Sequence, residues 1–280
     1  EPLYLANDFN WLPATVALQP GSSATDSMEG LLSGALDGAA LTLDETIRIW
    51  SRGLELVVVA VADVSAGADV LMVSAGIDEL AALKGRRIAV ELNGVSGIML
   101  LKILEVAGLG PNDVIKVDMP VSQHAEAWSR GEVDASVCYE PTASVIESLG
   151  GVRLFDSSDV PETIFDVLVV TREAAEKHRR PVSDLVGAHF AGLQHLVRNL
   201  HDSVYRVADR QGIDPDEVRS ALATVMLPDL AANQRYLTAA GPIESMAGSL
   251  SRLMLAEGMI DRDPAIQRLS DASFLPSRVP

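Results

Sequence analysis

A chain of 280 residues, 48% apolar and 22% charged, is long enough for two domains with separate cores. A formal charge of −17 argues against nucleic acid or an anionic membrane surface as partner, because both need basic patches. It leaves a small anion open, since local N–H groups decide that, and the single cysteine, Cys138, excludes an internal disulfide and a cysteine-built metal cluster.

Aromatic residues make up only 4% of the chain, so Ala, Val and Leu must fill the interior. No apolar run approaches the ~18 residues that would span a bilayer, and no signal peptide is readable. The chain opens at Glu1 inside what reads as a loop entering a helix, and the expectation is that a preceding segment is removed or not represented.

The pattern predicts a helix over Pro2–Asn10, with Phe9, Trp11 and Leu12 tucking its end onto a sheet. A short strand over Thr15–Gln19 follows, and the run Ser22-Ser23-Ala24-Thr25-Asp26 caps the next helix. Strand Ala35–Leu41 then runs into Thr42-Leu43-Asp44-Glu45, a capping box with Thr42 as cap and Glu45 three residues on. Helix Asp44–Ser51 and strands Leu56–Ala62 and Val70–Ser74 come next, then a helix over Ile77–Leu83 and strand Ile88–Glu91. A second series follows: helix Gly97–Ala107 stopped by Gly108, strand Val114–Asp118, helix Ser122–Ser129, strand Ala135–Cys138, a helix with Pro141 at its first position, and strand Val152–Phe155. Strand Val167–Thr171 closes the series, and the remainder reads as helices to the end.

Alternating strands and helices predict an α/β chain with mainly parallel sheets. The return to helices after a complete inserted series predicts a first domain built from residues 1–76 and 166–280 and a second from 77–165, with two crossings as hinge near 74–77 and 164–167. Three strand-to-helix junctions, at Thr42, at Asn93–Ser96 and at Tyr139–Glu140, leave free N–H groups and positive dipole ends, a setting for a small anionic or strongly polar molecule. Thr42 and Ser96 also read as ordinary helix caps. No Arg or Lys stands at these junctions in the sequence, so a salt bridge to a sulfonate or carboxylate is not evident there. The five histidines form no ligand-spaced pair, and no nucleophile elbow, P-loop or dinucleotide fingerprint occurs, so neither metal nor cofactor is expected.

The segments Leu83–Val90 (LKGRRIAV), Arg130–Pro141 (RGEVDASVCYEP), Ser65–Leu71, Leu36–Thr42 and Phe155–Ser158 resemble ABC-transporter substrate-binding proteins of the nitrate/taurine/sulfonate and thiamine-precursor type, in the same order along the chain. The resemblance implies a two-lobed type II periplasmic binding protein fold with a double-crossover hinge, a ligand closed between lobes, and a first strand missing at the start of this chain. It implies a monomeric, non-enzymatic component that is exported, works in the periplasm or tethered outside the membrane, and delivers a small solute to an ABC permease. Carried over position by position, the ligand-binding candidates are Ser23, Thr42, Ser65, Asp69, Asn93, Ser96, Tyr139, Glu140 and Asp166. The expected solute is sulfonate-, nitrate- or taurine-like. The alternatives are a thiamine-precursor-like pyrimidine, or an enzyme of the same fold of the pyrimidine-forming or chorismate-dehydrating type, with Glu140 or Asp69 as its acid or base.

Overall fold

The computed structural model describes every residue but Ser22 and Pro280. In chain order it contains α1 (Pro2–Asp8), α2 (Ala24–Leu32), β1 (Gly38–Thr42), α3 (Leu43–Ser51), β2 (Leu56–Ser65) and β3 (Asp69–Val73). Next come β4 (Arg87–Val90), α4 (Val95–Ala107), β5 (Ile115–Asp118), α5 (Val121–Ser129), β6 (Ala135–Tyr139), α6 (Thr142–Ser148) and β7 (Val152–Asp156). The chain finishes with β8 (Phe165–Thr171), α7 (Arg172–Lys177), α8 (Arg179–Arg198), α9 (Leu200–Gln211), α10 (Pro215–Ala223), β9 (Val225–Met226), α11 (Leu230–Tyr236) and α12 (Pro242–Ala256).

These elements form two compact units, Glu1–Val64 with Phe165–Pro280, and Ser65–Ile164. The first division therefore falls at Val64/Ser65, ahead of β3, and not near 74–77. Strand β3 belongs to the inserted unit because it pairs with β6 and β7 on either side.

The expectation of mainly parallel sheets is corrected. In the first unit the order is β1-β8-β2-β9, with β8 antiparallel to both β1 and β2. In the second the order is β5-β4-β6-β3-β7, where only β5, β4 and β6 pair in parallel and β3 runs against both neighbours. The cause is the insertion: β3 carries the chain into the second unit and β8 brings it back into the first. Each lodges as an interior strand opposed to the βα series around it.

Strand β3 reads Asp-Val-Leu-Met-Val with no polar alternation because helices cover both faces. Leu71 and Val73 point into a core with Val90, Met99, Ile103 and Val137. Val70 and Met72 point the other way, against Cys138, Ala143 and Ile146. In the first unit Val57 and Val59 of β2 and Leu168 and Val170 of β8 pack on Leu5, Val186, Phe190, Leu193 and Phe274. Full burial of each such side chain is worth about 1.5–3 kcal/mol.

Three local readings also change. Residues 15–19 form no strand; Val16 N–H bonds Pro13 O at 2.9 Å in a turn, and Thr15, Ala17 and Gln19 face solvent with no ladder to satisfy their backbone. The predicted helix over Ile77–Leu83 is reduced to a single 3₁₀ turn, Leu80–Leu83, because Gly76 (φ +91°) and Gly85 (φ +75°) turn the chain left-handed on both sides. Pro141 stands one position earlier than expected, as the N-cap of α6.

Helix α1 packs on α8 at a contact that only glycine permits, while its Leu5 joins the core shared with β2 and β8. A Cβ on Gly192 would lie 1.9 Å from Pro2 O. Gly192→Ala is expected to force α1 off α8 and to lower the melting temperature by several degrees or more, read by circular dichroism, while Ala191→Gly beside it has no such clash to relieve.

His189 is fully buried on α8, its Nε2 has no hydrogen-bond partner, and burial pushes its pKa down to about 3. The folded-state pKa lies below the unfolded value of about 6.5. The unfolded chain therefore takes up a proton first as pH falls, and stability present at neutral pH is lost between about pH 6.5 and about pH 3. His189→Leu should flatten that acid limb in urea titrations run at neutral and acidic pH; an unchanged slope contradicts the assignment.

Candidate functional site

The strand order of the second unit determines which residues share an edge. β5, β4 and β6 are parallel, so Asp118, the Glu91–Ser96 loop and Tyr139–Glu140 follow their strands at the same edge. β3 is antiparallel, so its first residue, Asp69, stands there too, in register with Tyr139. β7 runs with β6 and ends at Asp156–Ser157, with Asp156 in register with Val70. Six of the nine candidates, Ser65, Asp69, Asn93, Ser96, Tyr139 and Glu140, thus collect at one sheet edge.

Their chemistry divides them. Ser96 is buried and its hydroxyl is engaged both ways, accepting from Glu91 N–H at 3.0 Å and donating to Glu91 O at 3.1 Å. It closes the loop behind the α4 N-terminus and presents no free hydroxyl. Asn93 is exposed on that loop, and Gly94, the N-cap of α4, supplies no side-chain cap, which leaves the Val95 and Ser96 N–H groups without an intrahelical partner. Ser65 donates to Asp69 at 2.7 Å and meets the Ser157 hydroxyl at 2.7 Å, while Ser157 also accepts from Gly67 N–H at 2.7 Å. All three side chains are buried, so Ser65 and Asp69 spend these bonds on building the loop. Tyr139 is 39% exposed at the mouth. Glu140 accepts from Ser144 N–H at 3.0 Å and Ser144 Oγ at 2.7 Å, which caps the first turn of α6.

The remaining candidates lie in the first unit. Ser23 caps α2 by accepting from Asp26 N–H at 3.1 Å and is exposed; Ser22 lies outside the described residues. Thr42, Asp166 and Asp63 stand in register across β1, β8 and β2. Thr42 N–H donates to Glu45 at 2.9 Å, one half of the predicted capping box, and its hydroxyl donates to Asp44 at 2.7 Å. Burial raises the pKa of Asp44, which lies 3.6 Å from Arg48, and likewise that of Glu45. Burial also raises the pKa of Asp63, which shares a side-chain hydrogen bond with Asp166. A carboxyl–carboxylate bond needs one proton, so this pair is a mixed donor and acceptor.

Sequence reading missed Asp63, Ser157 and Arg153. Arg153 sits near the start of β7 yet donates to Gly67 O at 3.2 Å and to Glu140 at 3.3 Å. The absence of a cation at the three junctions therefore holds along the sequence and fails in space. Only the pairing of β7 beside β3 brings it there.

Two other features stand apart from the nine candidates. His124 bonds Ser136 at 2.9 Å and Met119 O at 3.2 Å, but His124 and Ser136 are both wholly buried, which ties α5 to β6. A cavity of about 1140 Å³ in the first unit is lined by Trp11, His195, Arg198 and Phe274 among others and by none of the nine candidates. Its Arg198 is solvent-exposed, and its His195 is spent on Asp202 at 3.0 Å. Trp11 stacks on Phe9 at 4.8 Å at its rim.

Two α/β units, one inserted into the other, with helix N-termini and hydroxyls at the ends of the parallel strands, define the fold of periplasmic binding proteins. The NMT1/THI5-like family model matches residues 2–200, and the chain belongs to that family. The putative aliphatic sulfonates-binding protein of Escherichia coli strain K12 is 27% identical over 199 residues, which cover 70% of this chain and 62% of that protein. The chain thus spans less than two thirds of that relative's length. Among solved structures, the periplasmic aliphatic sulphonate binding protein SsuA from Escherichia coli matches with a TM-score of 0.81 at 19% identity, over 96% of this chain and 91% of its own. DSZB, a desulfurization enzyme, in complex with biphenyl-2-sulfinic acid, matches with a TM-score of 0.69 at 15% identity, over 98% and 94%. The fold therefore serves both a binding protein and an enzyme. No helix among the described residues is long and apolar enough to cross a membrane.

Asp63 gives a test of the first-unit edge. Its folded-state pKa is raised, so whatever it contributes to stability is present below the unfolded value and is lost as pH rises through the folded one. At neutral pH the half-buried carboxyl is a cost. Asp63→Asn keeps a donor toward Asp166, and it should raise the melting temperature at pH 7 by more than it does at pH 4. Equal shifts at both would show that the carboxyl carries no such cost.

Proposed function

We propose that this chain is the solute-binding component of an ABC importer and that its solute is a small sulfonate or related oxyanion. The observation that carries this is the α4 N-terminus: a 13-residue helix with no side-chain cap, beside exposed Asn93 and Tyr139, at the edge where β5, β4 and β6 all end. Open N–H groups and a helix dipole suit a compact anion. The sulfonate-binding relative supports the same class.

Binding is favoured over catalysis because, among the described residues, the one thiol is unreactive and the candidate carboxylate at the mouth is committed to other partners. The sole cysteine, Cys138, is buried with its thiol pushed up to about 11, which suppresses the thiolate. Glu140 is committed to Ser144 and Arg153. On this reading the partner is a membrane permease on the receiving side of the transport step, the site of action is the periplasm or the outer face of the membrane, and the protein is a monomer without metal or cofactor.

A second solute class, a zwitterionic aminosulfonate or a nitrogen heterocycle, is favoured by the Asp63–Asp166 pair, which can accept from an ammonium or ring N–H. Calorimetry with ethanesulfonate, taurine, nitrate and an aminopyrimidine separates these, alongside native mass spectrometry of freshly purified protein. Ethanesulfonate or taurine should bind and raise the melting temperature by several degrees. Small-angle scattering should then give a smaller radius of gyration with the bound solute than without, as expected if solute binding compacts the protein. Heat from the aminopyrimidine alone would reassign the solute, and turnover of a sulfinate with release of sulfite would reassign the chain as an enzyme.

A further inference from the structure

Resting on the reading of an oxyanion solute, we propose that Arg153 is the cation that meets the solute's anionic group, and that Glu140 is its resting partner. The edge around Tyr139 is acidic, with Asp69, Asp156 and Glu140 within it, and each helix N-terminus offers only about half a unit of positive charge. A full counter-charge added to those N–H groups would hold a sulfonate drawn out of water there more tightly than they do alone. The guanidinium of Arg153 is 35% exposed and already at this mouth, so it is reachable without rearranging the sheet.

Its present bonds leave it free to serve. A guanidinium has five N–H donors, and among the described residues Arg153 uses one on Gly67 O at 3.2 Å and one on Glu140 Oε1 at 3.3 Å. Both are long. Glu140 does not depend on it, because its other oxygen, Oε2, is held by Ser144 N–H at 3.0 Å and Ser144 Oγ at 2.7 Å. The arginine can therefore turn from Glu140 to an incoming anion while Glu140 stays satisfied by α6. The fork of parallel N–H groups fits two oxygens of a sulfonate. The bond to Gly67 O ties the same cation to the loop that leads into Asp69, so the guanidinium stays at the mouth when Glu140 is released.

The competing role is a brace, in which Arg153 only props Glu140 and the 66–68 loop. Calorimetry with ethanesulfonate on wild type, Arg153→Gln, Arg153→Lys and Glu140→Gln, at low and high salt, distinguishes the two. The proposal requires Arg153→Gln to weaken binding about tenfold or more, as loss of a charged hydrogen bond does. It requires Arg153→Lys to retain part of the affinity and the salt dependence, and Glu140→Gln to tighten binding several-fold by removing the competing carboxylate. If Glu140→Gln weakens binding as much as Arg153→Gln, Arg153 is a brace and the proposal fails, with the functional reading intact. Full affinity in both arginine variants overturns it in the same way. If wild type binds no oxyanion in the panel, the functional reading fails and this inference with it. Melting curves of the solute-free variants within a few degrees of wild type confirm folding, and Arg153→Lys serves where Arg153→Gln does not fold.

Discussion

A buried carboxylate fixes the point where the chain enters its second unit. Asp69 accepts the Ser65 hydroxyl at 2.7 Å, Ser65 meets Ser157, and Ser157 takes the Gly67 N–H at 2.7 Å. An unpaired charge there would be expensive, so the four residues must arrive together. Once they do, Asp69 starts β3 opposite Tyr139, β7 ends beside the same knot, and β6 is held in register between β4 and β3. The functional edge follows from that register. Two of its members, Asn93 and Glu140, lie in turns between those elements.

The extent to which this was legible in the sequence follows the reach of the interactions. β2, β3, β6 and β8 are mainly apolar runs, and α4 ends at Gly108 in the left-handed conformation, so local pattern suffices for each. Residues 15–19 carry the same local signal and fail because a strand exists only with a neighbour. Strand direction was misread for a related reason. Alternation of strand and helix predicts parallel pairing only for strands joined by their own crossover, and β3 and β8 are each wedged among strands to which they are not so joined.

The site was legible in position and less so in role. Helix mouths are written locally, which is why the loops at Thr42, Asn93–Ser96 and Tyr139–Glu140 could be found. What the side chains do there depends on partners far along the chain. Ser65 and Gly67 bond Ser157 across 92 and 90 residues, and Arg153 reaches back 86 residues to Gly67. A basic residue near the start of an edge strand gives no signal of what its guanidinium touches.

The central place of β8 in the first sheet also sets the order in which the molecule can be made. β1 and β2 do not pair with each other; both pair with β8, which follows β2 by the whole inserted unit. As the chain leaves the ribosome, the inserted unit has all its strands in one contiguous stretch and can close its sheet early. The Val57–Val61 run meanwhile waits unzipped, an apolar, uncharged segment of the kind that self-associates. Its protection lasts only from the moment residues 165–171 emerge, so a pause in translation within the insert prolongs the interval in which newborn chains can stick to one another.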